Sequence, residues 1–488
     1  MNVVAIDIGA SGGTVYLGRL GSSTFELEEI NRFENAPVEA DGRYVWDLQA
    51  LRERMIAGVQ AADQRVDGID AVGIDTWGLD FGLTHDGTVL RDPTSYRDPE
   101  ATAAKDELFE TVGKRRLFEA TGITNWNTPN TLWQLYTLAQ EEPSLLERAD
   151  ELLMMPQLLS TLLGGRAAGE VTIASTTQMV DPDRQEWARD LLAELSLPTE
   201  LLPDLEPPGA RLGPVDTEIA ASLSTTPELV MPASHDTASA VAGLPLTDDA
   251  AFLSTGSWFL FGVERSEPLV TDAAFELSLS NELGADGTVR LLKNITGFFL
   301  LEECRNAWHD AGEPTAYDHL LRTAQSAEPM RSLVDPDAEE FGIEGSMPSK
   351  IRSYCRRTGQ PVPSGQGEVV RCLLESLAAK TALVFDELGD AVETPPKRIV
   401  LGGGGVRNEL FCQLLADATG RSVQAGPVEA TAIGNVLTQA IALEAVPDLE
   451  TGRELVAEQF EPRTYEPAGT DEWGPAKERM VDLVGTDD

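Results

Sequence analysis

Apolar and polar positions at the start of the chain predict a strand, a turn and a second strand. Residues 3–8 form a mainly apolar run that contains Asp7, residues 9–13 are small, and residues 14–18 are again mostly apolar. A mixed run at 25–33 predicts a third strand. The chain therefore opens with strand structure around a short turn of small residues.

A helix follows these strands, and another strand follows the helix. Apolar residues recur at helical spacing after Asp47, whose side chain can cap the first turn. The recurring positions are Leu48, Leu51, Met55 and Val59. The apolar run 71–74 predicts the next strand, which leads into the motif DTWGLD at 75–80. Strands that alternate with helices are typical of an α/β domain.

The second half of the chain echoes this order. Residues 251–262 form a short apolar strand, a small-residue turn and a second strand. A long helix is predicted over about 369–388, and an apolar strand at 398–401 ends in four glycines. Asn408 begins another amphipathic helix, which Gly420 can end. The repetition suggests two related halves with a cleft between them.

The length of the chain favours two domains. Because 488 residues are too many for one hydrophobic core, two domains of roughly 200 residues or more are expected. The boundary is predicted near Gly243, which gives domains at 1–243 and 244–488. The tail from about Pro447 is acidic and partly helical, and its helices are candidates for packing back on the first domain.

The amino-acid composition limits the kinds of protein and of partner that are expected for this chain. Apolar residues make up 42% of the chain, which is ordinary for a globular protein, and no run of eighteen apolar residues or basic leader is present. A cytoplasmic protein is therefore expected. Its 81 acidic and 37 basic residues give a net charge of −44. A field of that sign repels nucleic acid and anionic membranes, so neither is an expected partner.

The acidic residues are spread along the chain, which argues against a disordered acidic tail. We interpret this halophile-like charge as adaptation to high salt, where screening relieves self-repulsion. The melting temperature is then expected to rise between low and molar KCl. A melting temperature that stays constant would contradict the interpretation.

Cysteine usage excludes a disulfide scaffold. The four cysteines lack CxxC spacing, which also argues against structural zinc; they are Cys304, Cys355, Cys372 and Cys412. Cys355 and Cys372 flank a polar stretch and could meet. Reduced, buried thiols are the favoured interpretation in a cytoplasmic protein.

Two glycine-rich segments follow apolar strands. In DIGASGG at residues 7–13, the turn amides could face phosphates while Asp7 holds Mg²⁺ through water. The alternative is a solvated turn aspartate beside a hairpin glycine. The glycines at 402–405 allow a ligand ring to lie against bare backbone, or else serve a loop with positive φ angles. No GxxxxGK[ST] or strand-linked GxGxxG motif is present.

The motif SHDTASA at 234–240 follows the strand-like run 229–231. Asp236, set among small residues, can approach a polyol and act as general base, with His235 and Thr237 fixing the substrate or the carboxylate. The alternative is that Asp236 is the N-cap of an alanine-rich helix. Three tryptophans are expected in the core or a pocket wall: Trp46, Trp77 and Trp258. Together the motifs suggest phosphoryl transfer from a nucleotide to a small hydroxylated substrate.

The order of these motifs resembles the FGGY carbohydrate kinases. The resemblance rests on DIGASGG (7–13), GIDTWGLDF (73–81), YRD (96–98), SHDTASA (234–240), KNITG (293–297), GGG (403–405) and AGPVEA (425–430). It runs from residue 3 to about 440. It implies a two-domain α/β fold of the actin/hexokinase-like (ribonuclease H-like) type with a central interdomain cleft. It also implies ATP- and Mg²⁺-dependent phosphorylation of the 1-hydroxyl of a ketose, with L-rhamnulose as the first candidate.

The resemblance also assigns site residues. Asp236 would orient or deprotonate the attacking hydroxyl. The sugar site would be lined by Gly78, His235, Asp236, Thr237 and Asn294. The nucleotide would be held by Ala10, Ser11, Gly12, Gly13, Thr14, Ser257, Glu302 and Gly404. Small molecules, a ketose and ATP, are the implied partners.

Two positions depart from the family pattern. Thr14 stands where many relatives carry arginine, which removes a positive charge near the phosphates. Glu302 stands where a glutamine is usual, and a carboxylate beside a nucleotide repels it unless it is paired or turned away.

Three rival functions remain open at this point. The first is a kinase for another ketose, such as fuculose, xylulose or ribulose. The second is a non-catalytic, actin-like binding or regulatory protein, against which the intact Asp7, Asp236 and Asn294 argue. The third is a chaperone-type ATPase, for which the chain has no length left to form a peptide-binding domain.

Overall fold

The computed structural model describes residues 1–21, 24–342, 345–460 and 462–485. The chain forms two compact units, each made of three separate stretches. Unit 1 comprises Met1–Pro245, Glu264–Leu291 and Ala430–Gln459, and unit 2 comprises Leu246–Val263, Leu292–Glu429 and Phe460–Asp488. The domain boundary near Gly243 stays a prediction.

The described residues contain strands that we label in chain order. They are β1 (Asn2–Gly9), β2 (Gly12–Leu20), β3 (Phe25–Glu34), β4 (Val38–Ala40), β5 (Arg43–Val45), β6 (Ala71–Thr76), β7 (Phe81–His85), β8 (Thr88–Val89), β9 (Glu151–Met154), β10 (Gly169–Glu170), β11 (Val180–Asp181), β12 (Glu186–Trp187), β13 (Leu205–Glu206), β14 (Arg211–Pro214), β15 (Glu228–Val230), β16 (Ala250–Thr255), β17 (Trp258–Arg265), β18 (Ser280–Leu283), β19 (Val289–Thr296), β20 (Arg398–Gly403), β21 (Ser422–Ala425) and β22 (Arg463–Tyr465).

The α-helices of the same residues are labelled likewise. They are α1 (Leu48–Asp63), α2 (Lys105–Thr111), α3 (Lys114–Thr121), α4 (Thr131–Glu141), α5 (Pro143–Leu146), α6 (Met155–Leu162), α7 (Val171–Ser175), α8 (Arg189–Glu194), α9 (Thr217–Ala220), α10 (Asp236–Ala242), α11 (Asp272–Glu276), α12 (Phe299–Asp310), α13 (Tyr317–Ser326), α14 (Met347–Arg357), α15 (Gln366–Ala391), α16 (Glu409–Thr419), α17 (Ala430–Ala442), α18 (Leu449–Phe460) and α19 (Trp473–Val484). Short 3₁₀ turns lie at Pro99–Thr102, Glu339–Phe341, Gly404–Arg407 and Thr470–Glu472.

The predicted opening strands and first helix are confirmed. β1 and β2 form an antiparallel hairpin, and β3 pairs antiparallel with β2. The Asp47 carboxylate accepts a hydrogen bond from the Ala50 amide at 2.9 Å, so it caps α1 as expected. Val3, Val4 and Ile6 are fully buried in the sheet.

The main sheet of unit 1 has the order β14-β15-β6-β1-β2-β3. Its centre is parallel: β6 runs parallel to β1 on one side and to β15 on the other. Every residue of β6 is buried, as expected for a strand covered on both faces. The carboxyl ends of β1, β6 and β15 therefore meet at one edge of the sheet.

Helices cover both faces of this sheet. A Cβ atom added to Gly58 of α1 would lie 2.5 Å from Val15, and one added to Gly18 would lie 2.7 Å from Val436 of α17. Val15 and Gly18 stand at odd and even positions of β2 and so point to opposite faces. The sheet of unit 1 is thus enclosed between α1 and α17.

Two glycines let α17 approach α10 at backbone contact. A Cβ added to Gly434 would lie 1.8 Å from the Ser239 carbonyl oxygen, and one added to Gly243 would lie 2.1 Å from the Ala430 carbonyl oxygen. Only glycine leaves room for such a crossing. Because α10 begins with Asp236, this crossing fixes the helix that carries the candidate base.

Unit 2 repeats the pattern of unit 1, as the sequence predicts. β16 and β17 form an antiparallel hairpin and β20 runs parallel to β16, just as β1 pairs with β2 and β6. β21 continues parallel to β20, and β22 closes the sheet antiparallel. The predicted helix over 369–388 is confirmed as α15, and Gly420 ends α16 with a φ of 63°.

The cysteine prediction is also confirmed. Cys304, Cys355, Cys372 and Cys412 are buried free thiols. The thiols of Cys355 and Cys372 are hydrogen-bonded to each other, so the two residues do meet.

No helix in the described residues has the length and apolar character needed to cross a membrane.

Candidate active site

Three aspartates gather at the edge of the unit 1 sheet where parallel strands end. Asp7 lies near the end of β1, Asp75 lies opposite it in β6, and Asp236 follows the segment after β15. Strands that run parallel deliver their carboxyl ends to the same edge. The prediction that Asp7 and Asp236 share a site therefore has a topological basis, and Asp75 joins them.

Asp75 is completely buried between polar partners. Its carboxyl contacts the Asp7 carboxyl and accepts a hydrogen bond of 2.5 Å from Asn435 Nδ2 of α17. Burial, and then the negative charge of Asp7, raise the pKa of Asp75 well above its ordinary value. The shift favours the protonated form of Asp75, which can bond to Asp7 and lessens the repulsion between the two carboxyl groups.

Buried hydrogen bonds hold the segment before Asp236 in place. The Glu170 carboxylate accepts from the Ser234 amide at 3.1 Å, and Thr172 Oγ1 accepts from the His235 amide at 3.3 Å. The Thr76 amide donates to the Ser234 carbonyl at 3.0 Å. Since these partners come from two distant parts of unit 1, residues 170–172 and Thr76, the position of Asp236 is determined by the tertiary fold.

Asp236 is the first residue of α10. The N-cap position is His235, which makes no side-chain capping bond, so the alternative interpretation of Asp236 as an N-cap is wrong. The Asp236 side chain is 35% exposed and accepts a hydrogen bond of 3.1 Å from Thr237 Oγ1. Burial raises the pKa of Asp236, while the bonds from Thr237 oppose that shift. A partly accessible carboxylate with raised basicity can accept a proton from a hydroxyl.

Gly78 lies beside His235. A Cβ added to Gly78 would lie 3.0 Å from Thr176 Oγ1 and 3.7 Å from His235 Nε2. A larger residue would fill this space, so glycine keeps the surface next to His235 open. The structure therefore brings together Gly78, His235, Asp236 and Thr237.

Asp80 fixes the loop that carries Gly78. It accepts hydrogen bonds from Trp46 Nε1 at 2.7 Å and Trp77 Nε1 at 3.0 Å, and burial raises its pKa to about 6. Both indoles are buried, as expected for core tryptophans. Trp258 is 56% exposed, so of the two expected positions the core is excluded for that residue, and a pocket wall stays a prediction.

The small-residue segment after β1 is a tight hairpin turn. Gly9 pairs with Gly12, so Ala10 and Ser11 form the turn, and Gly12, Gly13 and Thr14 belong to β2. The segment was expected to be a loop, but antiparallel pairing extends the strands into it. Added Cβ atoms on Gly12 and Gly13 would meet Phe33, which explains why these strand positions are glycine.

Arg97 reaches this turn from the YRD motif. Its Nη2 donates to Ser11 Oγ at 3.1 Å, and its guanidinium lies 5.6 Å from the centre of the Tyr96 ring. Arg97 is exposed and makes no ion pair within the described residues. A positive charge thus stands beside the turn even though Thr14 provides none.

Four predicted site residues belong to unit 2, and three of them lie on connected segments. The Ser257 carbonyl accepts from the Gly297 amide at 2.9 Å and from the Phe299 amide at 3.2 Å, which ties the β16–β17 turn to the start of α12. The Gly405 amide donates to Thr255 Oγ1 at 2.9 Å, which ties the glycine run to the same hairpin. A Cβ on Gly404 would meet no atom within 4 Å, so its backbone is open to a ligand.

Glu302 is paired, which removes the repulsion foreseen for a carboxylate beside a nucleotide. Arg305 Nη1 lies 2.6 Å from Glu302 Oε2, and the Tyr317 hydroxyl hydrogen-bonds to the other carboxylate oxygen. The Arg305 guanidinium also stacks on the Tyr317 ring at 4.1 Å. The local charge at Glu302 is therefore close to neutral.

Asn294, the fourth of these residues, lies on β19. It is half-buried, and its Oδ1 is buried without a hydrogen-bond partner among the residues that the structure describes. A buried acceptor without a partner is costly, and a ligand hydroxyl would satisfy it.

The structure also shows site residues that the motifs alone did not identify. They are Asp75, Arg97, Glu170, Glu282 and Arg290. Asp75 carried a usable signal, because it follows an apolar strand in the same way as Asp7. Glu170, Glu282 and Arg290 carried none, since single charged residues far apart in the chain form no local pattern.

Comparisons with known proteins show to which family this chain belongs. Residues 3–243 match the N-terminal domain, and residues 251–443 the C-terminal domain, of the FGGY family of carbohydrate kinases. Among solved structures, a ligand-bound xylulose kinase from Lactobacillus acidophilus has a TM-score of 0.80 at 16% identity and covers 99% of this chain and 96% of its own. A Plasmodium falciparum glycerol kinase with ADP has a TM-score of 0.74 at 14% identity, covering 99% and 97%.

The fold is thus that of solved sugar and glycerol kinases, and the expected actin/hexokinase-like class is confirmed. The chain belongs to the FGGY family of carbohydrate kinases, and ATP is its co-substrate. A rhamnulokinase from Bacteroides thetaiotaomicron is 41% identical over 97% of this chain and 98% of its own length. Another from Oceanobacillus iheyensis is 34% identical over 95% and 97%.

Proposed function

We propose that this kinase transfers the γ-phosphoryl group of ATP to the 1-hydroxyl of L-rhamnulose, giving L-rhamnulose 1-phosphate and ADP. The choice of sugar is supported by the 41% identity to a rhamnulokinase over nearly the whole chain. The chemistry is supported by one geometric observation above all: a partly exposed Asp236 carboxylate at the strand edge that also carries Asp7. The protein is proposed to work in the cytoplasm.

Asp236 is the proposed general base. The hydroxyl oxygen of the ketose forms a bond to the γ-phosphorus, its proton passes to Asp236, and the bond from that phosphorus to the leaving oxygen of ADP breaks. Phosphoryl transfer of this kind depends on in-line placement and charge neutralisation more than on covalent chemistry. The rigid attachment of the Asp236 segment through Glu170 and Thr172 suits that requirement.

The sugar is proposed to bind through the residues predicted to line its site. Gly78 leaves space, His235 and Thr237 offer hydrogen bonds, and the unpaired Asn294 Oδ1 accepts one from a sugar hydroxyl. A site built to satisfy several hydroxyl groups rejects sugars that leave a buried partner unpaired.

The nucleotide is proposed to contact two sets of residues. The hairpin turn supplies Ala10, Ser11, Gly12, Gly13 and Thr14. Unit 2 supplies Ser257, Glu302 and Gly404. Open backbone at Gly404 accommodates a flat ring, and the paired Glu302 no longer repels phosphate.

Mg²⁺ is proposed to bind with ATP through a water on Asp7. The donor set fits this ion, because Mg²⁺ keeps most of its waters and uses one or two carboxylates together with substrate phosphates. No group of three or more acidic, histidine or cysteine side chains able to hold a metal is found in the described part of the chain. When bound, the ion neutralises charge on the phosphates.

Arg97 is proposed to supply the positive charge that Thr14 lacks. We expect Arg97→Ala to raise the KM for ATP by about tenfold, since a charge-assisted bond to phosphate is lost. Steady-state kinetics with varied ATP would measure the change. Arg32→Ala is the matched control, because Arg32 is also exposed but pairs with Glu29. Equal KM values for the two variants would contradict the role of Arg97.

The proposed function is tested by a panel of ketoses in a coupled assay of ADP formation. L-Rhamnulose is expected to give the highest kcat/KM, ahead of L-fuculose, xylulose and ribulose. Another ketose that exceeds it by tenfold would replace the proposed substrate and keep the enzyme class. Absence of sugar-dependent ADP formation would favour a non-catalytic role instead.

A further inference from the structure

The imidazole of His235 lies between the candidate base and a buried ion pair. Its Nε2 is 3.4 Å from Asp236 Oδ1. On the other side, its Nδ1 is 3.3 Å from Nη2 of Arg290 and 3.5 Å from Oε2 of Glu282. Only 10% of the His235 side chain is exposed. The two ring nitrogens therefore face different groups, with a carboxylate near Nε2 and an arginine–glutamate ion pair near Nδ1.

Arg290 is completely buried. It has no exposed surface, its Nε donates to the Leu283 carbonyl at 3.1 Å, and its Nη2 lies 3.1 Å from Glu282 Oε2. Its Nη1 has no hydrogen-bond partner within the described residues. Burying an arginine costs several kcal/mol even when it is paired, so an apolar residue would give a more stable core here. Such a cost points to a role beyond stability.

The hydrogen-bonding chemistry of arginine decides the tautomer of His235. A guanidinium has only donors, so an Nη2–H group directed at Nδ1 requires a lone pair on that nitrogen. The same Nη2 lies 3.1 Å from Glu282 Oε2 as an ion-pair partner, and that oxygen has no hydrogen-bond partner in the described residues. With Nδ1 as acceptor, the single ring proton of a neutral imidazole must sit on Nε2, which faces Asp236.

We infer that Arg290 is a positioning residue that holds His235 as the neutral Nε2–H tautomer, so that His235 presents a hydrogen-bond donor beside the catalytic base. Glu282 in turn holds Arg290 in place. The inference deepens the proposed function and rests on it, since it assigns the sugar-side donor of the same site.

A neutral His235 matters because of its distance from Asp236. An imidazolium at 3.4 Å would stabilise the Asp236 carboxylate as an ion and lower its pKa, which weakens it as a base. Burial, together with the charge of Arg290, moves the pKa of His235 well below its ordinary value. The arrangement thus keeps a hydrogen-bond donor at the site without adding a second positive charge next to the base.

The charged groups around His235 and Arg290 are carboxylates, and each of them favours the charged form of Arg290. The ones that face His235 or Arg290 are Asp236 of α10, Glu282 of β18, Glu170 before α7 and Glu264 of β17. The carboxylates near Arg290 favour its charged form, while burial opposes it. The inference requires that Arg290 stays charged, and guanidinium groups remain charged in proteins.

The tautomer can be measured directly on the full-length wild-type protein. The chain has only four histidines, so two-bond ¹⁵N–¹H correlation spectra of the imidazoles are simple, and His235→Asn assigns the signal. We expect the neutral Nε2–H pattern for His235 near pH 6, where an ordinary histidine is mostly charged. An Nδ1–H pattern, or a charged imidazole at that pH, would overturn the inference. This measurement needs no Arg290 variant.

Arg290→Met tests the consequence for activity. Burial is the larger cause of the low pKa of His235 and stays, but loss of the Arg290 charge raises that pKa, so the charged form becomes more populated as pH falls. We expect kcat/KM for the ketose to drop by about tenfold near pH 6, as for one lost hydrogen bond, with partial recovery at pH 8. The KM for ATP should change little. A folded variant with the wild-type pH profile and imidazole spectrum would overturn the inference.

Arg371→Met is the matched control. Arg371 forms another largely buried ion pair, with Glu375 of the same helix in unit 2 at 2.5 Å, and neither residue is among the charged groups around Arg290 or His235. Its loss is expected to lower stability and to leave the His235 signal unchanged. Arg290→Lys keeps a cation and should retain more activity at pH 6 than the methionine variant. If the wild type phosphorylates no ketose, the proposed function fails, whereas the tautomer result stands by itself.

Discussion

Asp236→Asn is expected to reduce kcat by about 10³-fold while sugar binding survives. The amide keeps the shape of the side chain but cannot take the hydroxyl proton, and a positioned general base contributes about 10²–10⁴-fold. Because Asp236 makes hydrogen bonds mainly with its neighbour Thr237, the variant should fold normally. Ketose-dependent ADP formation and sugar binding by calorimetry would measure the two effects separately.

Asp47→Asn provides the control for this variant. Asp47 caps α1, and asparagine caps a helix about as well as aspartate, so kcat should be unchanged. Retention of more than a few per cent of kcat in Asp236→Asn would remove Asp236 from the role of base.

Gly434→Ala is expected to destabilise unit 1 by at least about 3 kcal/mol, and Gly434→Val to prevent folding. The added Cβ would lie 1.8 Å from the Ser239 carbonyl oxygen and 2.9 Å from the Gly243 amide nitrogen. Both neighbours are backbone atoms of the α10 segment, so no side-chain movement relieves the clash. Thermal melting followed by circular dichroism would detect the loss.

Gly474→Ala is the matched control for the crossing of α10 and α17. Gly474 also lies in a helix, but a Cβ there meets no atom within 4 Å. Alanine should therefore stabilise the helix by roughly 0.5–1 kcal/mol. Similar melting temperatures for Gly434→Ala and the wild type would contradict the close crossing.

Local features of the fold could be predicted from the sequence because they have local causes. The spacing of Leu48, Leu51 and Met55 after Asp47 predicts α1, and Gly420 marks the end of α16. Short apolar runs around small-residue turns predict both hairpins. In each case neighbouring residues carry the signal.

Longer-range features could not be predicted in the same way. The stretch Ala430–Gln459 belongs to unit 1 although it follows most of unit 2 in the chain. The tail helices from about Pro447 were candidates for such a return, but no local pattern shows that it begins at Ala430. The Gly12–Gly13 segment was expected to be a loop, but pairing with Ile8 and Gly9 makes it a strand. Tertiary pairing outweighs local preference at such positions.

The residues of the candidate site also differ in whether the local sequence predicts them. Asp7 and Asp236 stand in motifs after apolar strands and were predicted, whereas Arg290 is a single charge that composition places on the surface. Only the fold shows that it is buried beside His235, which is 55 residues earlier in the chain. The pairing of Glu302 with Arg305 and Tyr317 is likewise visible only in three dimensions.

The most direct test is a crystal structure of the protein with L-rhamnulose and a non-hydrolysable ATP analogue. The account predicts that the 1-hydroxyl of the sugar lies within hydrogen-bond distance of an Asp236 carboxylate oxygen, on the side of the γ-phosphate. A sugar bound away from Asp236, or one that presents a different hydroxyl to it, would contradict the account.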